Sequence, residues 1–217
     1  MSAEIITDDS TLLTPQQADE IWELGNAGAQ NAATALSSLL STQVDIHLQN
    51  IIMVNLAHLQ QYLDDSVAAM VLFHIRGQVS GDGSIILHVP HASIIKLSSI
   101  MLGTPDEDRE IDEMDKSMLH EVGNIMTSTF LDAFASLLSI ILLPSPPSMV
   151  VDMPHAVIES VIAAQELDNE MDHVLLFKTD MICAQHEIDA GILLIPSKPL
   201  LKELLERFRK VRASRSS

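Results

Sequence analysis

Cysteine and aromatic residues are both scarce in this sequence. Cys183 is the only cysteine among 217 residues, so no internal disulfide can form, which fits a reducing compartment. Aromatic residues make up 3% of the chain although 47% of it is hydrophobic, so aliphatic side chains and methionine must fill the core. Cys183 lies in an apolar stretch, where a role as a small buried hydrophobe is favoured over that of a nucleophile. The length allows one large domain or two small ones.

Basic residues are few, and the sequence has no long apolar run. Twelve Lys and Arg face 30 Asp and Glu, which gives a net charge of −18; this argues against a nucleic-acid partner, since phosphate binding needs clustered cations. The longest apolar run, 130–144, is interrupted by Asp132 and is too short to span a bilayer. The first residues lack the basic region and apolar core of a secretory leader. We therefore expect a cytoplasmic protein without a membrane partner.

The sequence contains none of the common motifs for phosphate, zinc or acyl chemistry. It has no phosphate-binding glycine loop, no His-Glu-x-x-His and no serine nucleophile elbow. The nine histidines are scattered. His88 and His91 are close in sequence but are expected to straddle the end of a strand, so a metal site there is the weaker interpretation.

What the sequence does contain is a stretch that occurs twice, 98 residues apart. Each copy has an Asp or Ser, a Glu one helical turn later and an Asn one turn further: Asp19, Glu23 and Asn26, then Ser117, Glu121 and Asn124. Helical spacing places the Glu and the Asn on one face. One such pair is most simply a solvated helix face, but a pair repeated in register favours a function.

A glycine stands between the Glu and the Asn in both copies, at Gly25 and Gly123. Glycine inside a helix costs about 1 kcal/mol against alanine. Its presence in both copies indicates that something approaches each helix backbone closely at this point.

Local signals predict the same order of elements in each half. Thr14 is expected to cap a helix that runs to about Leu40, and Gly25 is able to bend or divide that helix. Asp112 is expected to cap a second helix from 113 to about 140, stopped by the prolines from Pro144 onward. Each helix is followed by a predicted strand, short helix, hairpin and closing helix. Residues 1–13 are predicted to be loosely held.

These elements predict a single domain, residues 1–217, made of two internal repeats at about 14–103 and 112–208. The hairpins end in similar sequences 106 residues apart, at Pro90 and Pro196, which implies a net insertion of eight in the second half. Neither half is expected to have a self-sufficient core. The predicted fold is α/β, an α+β sandwich with pseudo-twofold symmetry, in which two long helices carry the motifs on a central, mainly antiparallel sheet.

A basic tail, residues 209–217, is expected to follow the second repeat. Five of the twelve basic residues lie between Arg207 and Arg215. A frayed, solvated tail is the simpler interpretation, and docking on an acidic surface remains open. A monomer is expected, because the duplication supplies within one chain the symmetry that a dimer would otherwise give.

The two motifs and the layout of elements resemble the CheC family of chemotaxis phosphatases, in the group that also contains CheX and FliY. The family pattern is Asp or Ser, then Glu, then Asn at the spacing seen here, with a proline 23 residues after the Asn. Pro147 stands at that place in the second copy, whereas the first copy has Gln49. The resemblance spans roughly residues 12 to 208.

The resemblance implies a phosphatase that acts on the aspartyl-phosphate of the response regulator CheY. An acyl phosphate is already reactive, so the phosphatase chiefly needs to place a water in line. A carboxamide can accept from that water and donate to the phosphoryl group. The implied roles are water orientation by Asn124 and Asn26, docking to a lysine of the regulator by Glu121 and Glu23, and support or partner contact by Ser117 and Asp19. No cofactor or metal of its own is implied, since the regulator brings Mg²⁺.

The alternatives are binding functions. An adaptor that docks CheD or the response regulator without turnover would fit the same family, and the two roles can coexist. The missing proline after Asn26 allows the first site to have become a binding site only. A flagellar switch component, by distant similarity to the FliM middle domain, is the weakest of the three.

Overall fold

The computed structural model describes residues 5–7, 13–63, 66–103, 109–164, 173–183 and 186–215. The helices in these ranges are α1 (Pro15–Leu40), α2 (His91–Leu102), α3 (Glu113–Leu138), α4 (Pro154–Ala164) and α5 (Lys198–Arg215), with a 3₁₀ helix at Leu56–Tyr62. The strands are β1 (Ile5–Thr7), β2 (Val44–Asn55), β3 (Ala68–Gly77), β4 (Gly83–Pro90), β5 (Leu142–Pro144), β6 (Ser148–Asp152), β7 (His173–Cys183) and β8 (His186–Pro196).

All of these strands form one sheet in the order β1-β2-β7-β8-β4-β3, and both β5 and β6 pair with β3. Every pairing is antiparallel except that of β1 with β2. Strands of the two halves interleave, because β2 of the first half pairs with β7 and β3 pairs with β6. The predicted α/β class with a mainly antiparallel central sheet is confirmed.

The sheet is covered on both faces. The helices α1, α3, α2 and α5 pack on one face, over a core that contains Phe73, Phe130 and Phe177. The 3₁₀ helix and α4 cover part of the other face through Leu59, Val157 and the strand residues beneath them. The two long helices that carry the repeated motifs therefore lie on the same side of the sheet.

The starts of both long helices are confirmed, and each is a capping box. The Thr14 hydroxyl accepts from the Gln17 amide at 3.3 Å, and the Gln17 side chain accepts from the Thr14 amide at 2.9 Å. Asp112 and Asp115 exchange the same pair of bonds at the start of α3, at 2.9 and 2.8 Å. The helix α1 runs unbroken to Leu40, so its glycines do not divide it.

The motif glycines allow the helices to lie close to the sheet. A Cβ at Gly25 would fall 2.8 Å from Leu48 Cδ2, and one at Gly123 would fall 3.0 Å from Val71 Cγ1. The close approach inferred from these glycines is confirmed, and the sheet is what approaches. Gly28 has a third role: a Cβ there would meet Phe130 Cδ2 at 2.5 Å, so this glycine sets the contact between α1 and α3.

Some predicted boundaries were wrong. The helix α3 ends at Leu138, where Ser139 turns left-handed at φ 52° and donates to the Ala135 carbonyl; the following prolines do not stop it, and β5 occupies 142–144. Residues 5–7, predicted to be loosely held, pair with β2 as the parallel strand β1. The basic segment from 209 continues α5 as far as Arg215 instead of fraying. An acidic turn is predicted at 168–172 and an acidic linker between the halves at 104–115; the turn and residues 104–108 of the linker lie outside the described residues.

The 98-residue offset continues from the helices into the sheet. Residues 142–144 of β5 pair with 75–77 of β3, as residues 44–46 of β2 pair with 181–183 of β7. Residues 148–152 of β6 likewise correspond to 50–54 of β2. The strand β2 of the first half is thus divided into β5 and β6 in the second.

No helix in the described ranges is long and apolar enough to cross a membrane.

Candidate functional site: two matching helix faces

The repeated motifs form two separate sites on the surfaces of α1 and α3. We name them site 1, Asp19, Glu23 and Asn26 on α1, and site 2, Ser117, Glu121 and Asn124 on α3. All of these side chains are exposed except Asn26, which is half-buried. Within the described ranges, no hydrogen bond or ion pair joins one site to the other. Each site is therefore a helix face open to a partner rather than a pocket.

The carboxamides of the two sites differ in their bonding. Asn26 Nδ2 donates to the Trp22 carbonyl, one turn earlier on α1, at 3.0 Å. Asn124 makes no side-chain hydrogen bond to any part of the chain that the structure describes. This bond occupies one of the two N–H groups of the Asn26 amide and holds its rotamer by about 1 kcal/mol. Both N–H groups and the carbonyl oxygen of Asn124 are available to a ligand.

The start of α3 is held by a buried charge pair. Arg109 donates to the Asp115 carboxylate through Nη1 at 2.6 Å and through Nη2 at 2.8 Å, and the Ser98 hydroxyl of α2 also donates to it. Asp115 is completely buried. The Arg109 bonds lower the pKa of Asp115 well below its ordinary value, against the opposing effect of burial. This clamp fixes the helical turn immediately before Ser117.

The start of α1 lacks this clamp. Gln17 is the residue 98 positions before Asp115, and it is equally buried. Its Nε2 has no hydrogen-bond partner among the described residues. The helix start before site 2 is therefore held by an ion pair with Arg109 and by a hydrogen bond from Ser98 of α2, whereas the helix start before site 1 is neutral.

Site 1 borders an open groove between α1 and β2, of about 880 Å³. Asn26 and Gln30 line it from the helix, and Gln43 and Asp45 line it from the strand side. Neither site includes a nucleophilic side chain apart from the Ser117 hydroxyl. Over the described ranges, no three His, Cys, Asp or Glu side chains gather as a metal ion would require.

Comparison with known proteins connects this geometry with a family. Residues 114–151, which include site 2 and Pro147, match the model of the CheC-like family. The chain is 27% identical over 194 residues to CheY-P phosphatase CheC of Bacillus subtilis, covering 87% of this chain and 92% of that one. It is 25% identical over 142 residues to putative CheY-P phosphatase CheC1 of Halobacterium salinarum, covering 65% and 72%.

The fold agrees with this assignment. The crystal structure of Thermotoga maritima FliY superposes with a TM-score of 0.71 at 22% identity, over 92% of this chain and 98% of the other. The chain is therefore similar in sequence to CheC-like proteins and similar in fold to FliY.

The proline that is present after the second motif and absent after the first affects the sheet. Pro147 is half-buried in the break between β5 and β6. Proline lacks the amide needed for a strand ladder, which explains the break. Gln49 stands at the same place in β2, where the pairing with β7 shifts register between Leu48 and Asn50. The strand therefore continues through a bulge at Gln49, whose side chain donates to Asp180.

The missing proline leaves the helix of site 1 unchanged. The two sites differ in the hydrogen bond from Asn26 to the Trp22 carbonyl and in the Arg109–Asp115 clamp at the start of α3. Neither difference was predicted from the sequence. The arginine of the clamp had one visible signal, since Arg109 is a lone cation in an acidic stretch. No sequence pattern predicts the hydrogen bond from Asn26 to the Trp22 carbonyl, because it depends on the side-chain rotamer of Asn26.

Proposed function

We propose that this chain hydrolyses the aspartyl-phosphate of a CheY-type response regulator, with site 2 as the principal site. Asn124 orients the attacking water and Glu121 pairs with a lysine of the regulator, while Ser117 supports the docking. The observation that carries the proposal is the exposed, uncommitted pair Glu121 and Asn124 on α3, within the range that matches the CheC-like family. The Bacillus subtilis relative named CheY-P phosphatase adds support.

The chemistry suits a helix face without a pocket. An aspartyl-phosphate is an activated acyl phosphate, and the regulator supplies the Mg²⁺ that neutralises the developing charge. The phosphatase then contributes mainly the position of one water. A neutral carboxamide that projects from a helix can enter the cleft of a partner and do this without desolvating a charge of its own. The exposure of Asn124 on α3 fits such an insertion.

Site 1 is proposed as the weaker site. Glu23 and Asp19 are exposed, like their counterparts on α3, so docking is available there. One N–H group of Asn26 Nδ2 donates to the Trp22 carbonyl at 3.0 Å, so turning this amide towards a phosphoryl group costs about 1 kcal/mol. This bond is the specific observation that favours a second function, binding of the regulator or of CheD without turnover, at site 1.

The test is the decay of a phosphorylated CheY-type regulator with wild type, Asn26→Ala, Asn124→Ala and the double variant. Loss of a water-positioning group costs about tenfold in rate or more, which is about 1.4 kcal/mol. We expect Asn124→Ala to remove most of the acceleration and Asn26→Ala much less of it. Asn31→Ala is the matched control, because Asn31 is exposed on α1 outside the motif.

Two results would contradict this proposal. A wild-type chain that does not speed the decay at all would remove the phosphatase function for that regulator and leave the adaptor function. Equal losses in Asn26→Ala and Asn124→Ala would refute the ranking of the sites and show that the Trp22 bond is readily broken.

A further inference from the structure

A polar cavity lies on the face of the sheet opposite α1 and α3. Along β7, Phe177 packs in the core beneath the two long helices, whereas Leu176 packs on the α4 side. Successive side chains of a strand point to opposite faces, so Lys178 and Asp180 project to the α4 side with Leu176. The cavity that these residues help to line measures about 220 Å³, several times the roughly 30 Å³ that one water occupies in the liquid. It therefore has room for a small organic molecule.

The strand register brings the ionisable side chains of three strands to this cavity. Asp180 of β7 lies directly opposite Asp189 of β8. Two residues away, Lys178 lies opposite Gly191, which in turn lies opposite His88 of β4. All of these residues line the cavity. One ammonium group, two carboxylates and an imidazole therefore surround a single space.

Gly191 keeps the floor of the cavity open. A Cβ at this position would fall 3.2 Å from Leu176 Cδ1 and 3.9 Å from His88 Nδ1. His88 is 6% exposed, so any side chain at 191 would fill space beside a nearly buried imidazole. A glycine inside a strand weakens the strand, and it often marks a place where a ligand or another backbone comes close.

The charged groups of the cavity are not paired with one another. Lys178 is half-buried, and it makes no hydrogen bond or ion pair with any residue that the structure describes. Asp180 and Asp189 carry like charges at directly opposed positions, which is unfavourable in an antiparallel pair. Gln49 donates to Asp180 but brings no positive charge. Opposite charges about 7 Å apart along β7 are therefore available to a ligand.

This arrangement of charges limits the class of ligand. A simple anion would be repelled by the two carboxylates, and a simple cation would be repelled by Lys178. A zwitterion satisfies both signs, because its carboxylate pairs with Lys178 and its ammonium group pairs with Asp180 and Asp189. Hydrogen bonds between ionised groups are the strong ones in such sites.

The rest of the cavity wall is largely apolar. Leu63, Pro90 and Leu176 line it together with Tyr62. Ligand pockets typically combine a wall of this kind with a few polar groups that fix the orientation of the ligand. An aliphatic side chain would bury its surface against this wall while the charged end of the same molecule reaches Lys178.

We propose that this cavity, which we name the far-face site, binds a free α-amino acid with an aliphatic side chain. Lys178 holds the carboxylate of the ligand, and Asp180 and Asp189 hold its ammonium group. The far-face site is distinct from sites 1 and 2, because the sheet separates it from α1 and α3. The inference does not depend on the proposed function.

Isothermal titration calorimetry of the whole chain with L-leucine, L-isoleucine and L-valine tests the inference. N-acetyl-L-leucine lacks the ammonium charge, and L-leucinamide lacks the carboxylate. We expect at least one of the free amino acids to bind, and each blocked form of leucine to bind about tenfold more weakly than leucine itself, since each loses a hydrogen bond between ionised groups.

Substitutions in the wild-type chain assign the binding to the cavity. Lys178→Met and Asp180→Asn should each weaken the binding of the free amino acid about tenfold, and Gly191→Val should abolish it by filling the floor. L-leucinamide should bind Lys178→Met and wild type equally, because it has no carboxylate to lose. Lys202→Met is the matched control, since Lys202 is exposed on α5, and it should leave every affinity unchanged.

Three results would overturn the inference. The first is no binding of any of the free amino acids at millimolar concentrations. The second is binding of the blocked forms as tight as that of leucine, a comparison made on the wild-type chain that needs no variant to fold. The third is saturable binding of Mg²⁺ that Asp180→Asn abolishes, which would assign the cavity to a cation.

Discussion

At the scale of single residues, Asp115 is the most constrained side chain near the sites. It is completely buried and accepts from Arg109, from Ser98 and from the Asp112 amide. All of these donors favour the ionised carboxylate, so its pKa lies far below the ordinary value for aspartate. Protonation of the Asp115 carboxylate would remove its ion pair with Arg109 at the start of α3.

This predicts a pH-dependent loss of stability. The pKa of Asp115 is lower in the folded chain than in the unfolded chain. Its contribution is therefore complete above the unfolded value of about 4 and is lost as the pH falls towards the folded value. Asp115→Asn should lower the free energy of unfolding by about 2 kcal/mol at pH 7, and the difference from wild type should shrink below about pH 4.

Urea unfolding at pH 7, 5 and 3 measures this effect. Asp132→Asn is the control, because Asp132 is exposed on the same helix, and it should cost little at any of these pH values. A cost of Asp115→Asn that stays constant with pH would show that the clamp does not depend on the charge of the carboxylate.

At the scale of elements, the contact between α1 and α3 depends on Gly28. A methyl group there would lie 2.5 Å from Phe130 Cδ2, and Phe130 packs edge-on against Phe177 with ring centroids 4.8 Å apart. The ring cannot move without disturbing the aromatic cluster beneath it. Gly28→Ala should therefore destabilise the fold by about 1–3 kcal/mol, the usual cost of overpacking, despite the higher helix propensity of alanine.

Thermal unfolding checks this prediction. Ala27→Ser, at an exposed neighbouring position on α1, is the control and should change the midpoint only slightly. A stabilised Gly28→Ala variant would mean that α1 and α3 can separate without cost.

Element boundaries show how far sequence reasoning reaches. The starts of α1 and α3 were predictable because a capping box is a local signal carried by Thr14 and Asp112. The strand β1 was not predictable, since three residues acquire their structure only by pairing with β2. The exposed motif faces were predicted by helical spacing, whereas the clamp depends on contacts of Asp115 with Arg109 and Ser98 that helical spacing does not indicate.

The predicted correspondence of residues 106 positions apart is wrong for β4 and β8, the second strands of the two hairpins. Ile86 belongs to the core on the α4 side, whereas Ile192, 106 positions later, belongs to the core beneath α1 and α3. Equivalent residues must face the same side, and a one-residue shift reverses the face. The offset is valid for β3 and β7, where Val71 and Phe177 face the same core. Because β8 is buried on both faces, it is apolar at nearly every position. Its sequence therefore aligns with that of β4 equally well in either register.

At the scale of the whole molecule, the interleaved sheet joins the two halves into one folding unit. β2 has its long antiparallel partner, β7, in the other half, and β3 lies between β4 of its own half and β6 of the other. Separated halves would leave these strands as open apolar edges. Cutting the chain within the linker should therefore prevent each part from folding alone.

Two fragments, residues 1–108 and 109–217, test this prediction. Each should show no cooperative thermal transition as a monomer, and mixing them should restore one. Circular dichroism and sedimentation measure both properties. A cooperative transition in either isolated monomer would show that its half contains a sufficient core.

The same interleaving of the halves delays strand pairing during synthesis. Val44 at the start of β2 pairs with Cys183, so 139 further residues must be translated before this strand finds its partner. At about 5–20 residues per second, β2 waits roughly 7–28 s with one edge unpaired. Folding is therefore largely post-translational, and the nascent first half depends on whatever shields an apolar strand while the ribosome completes the second.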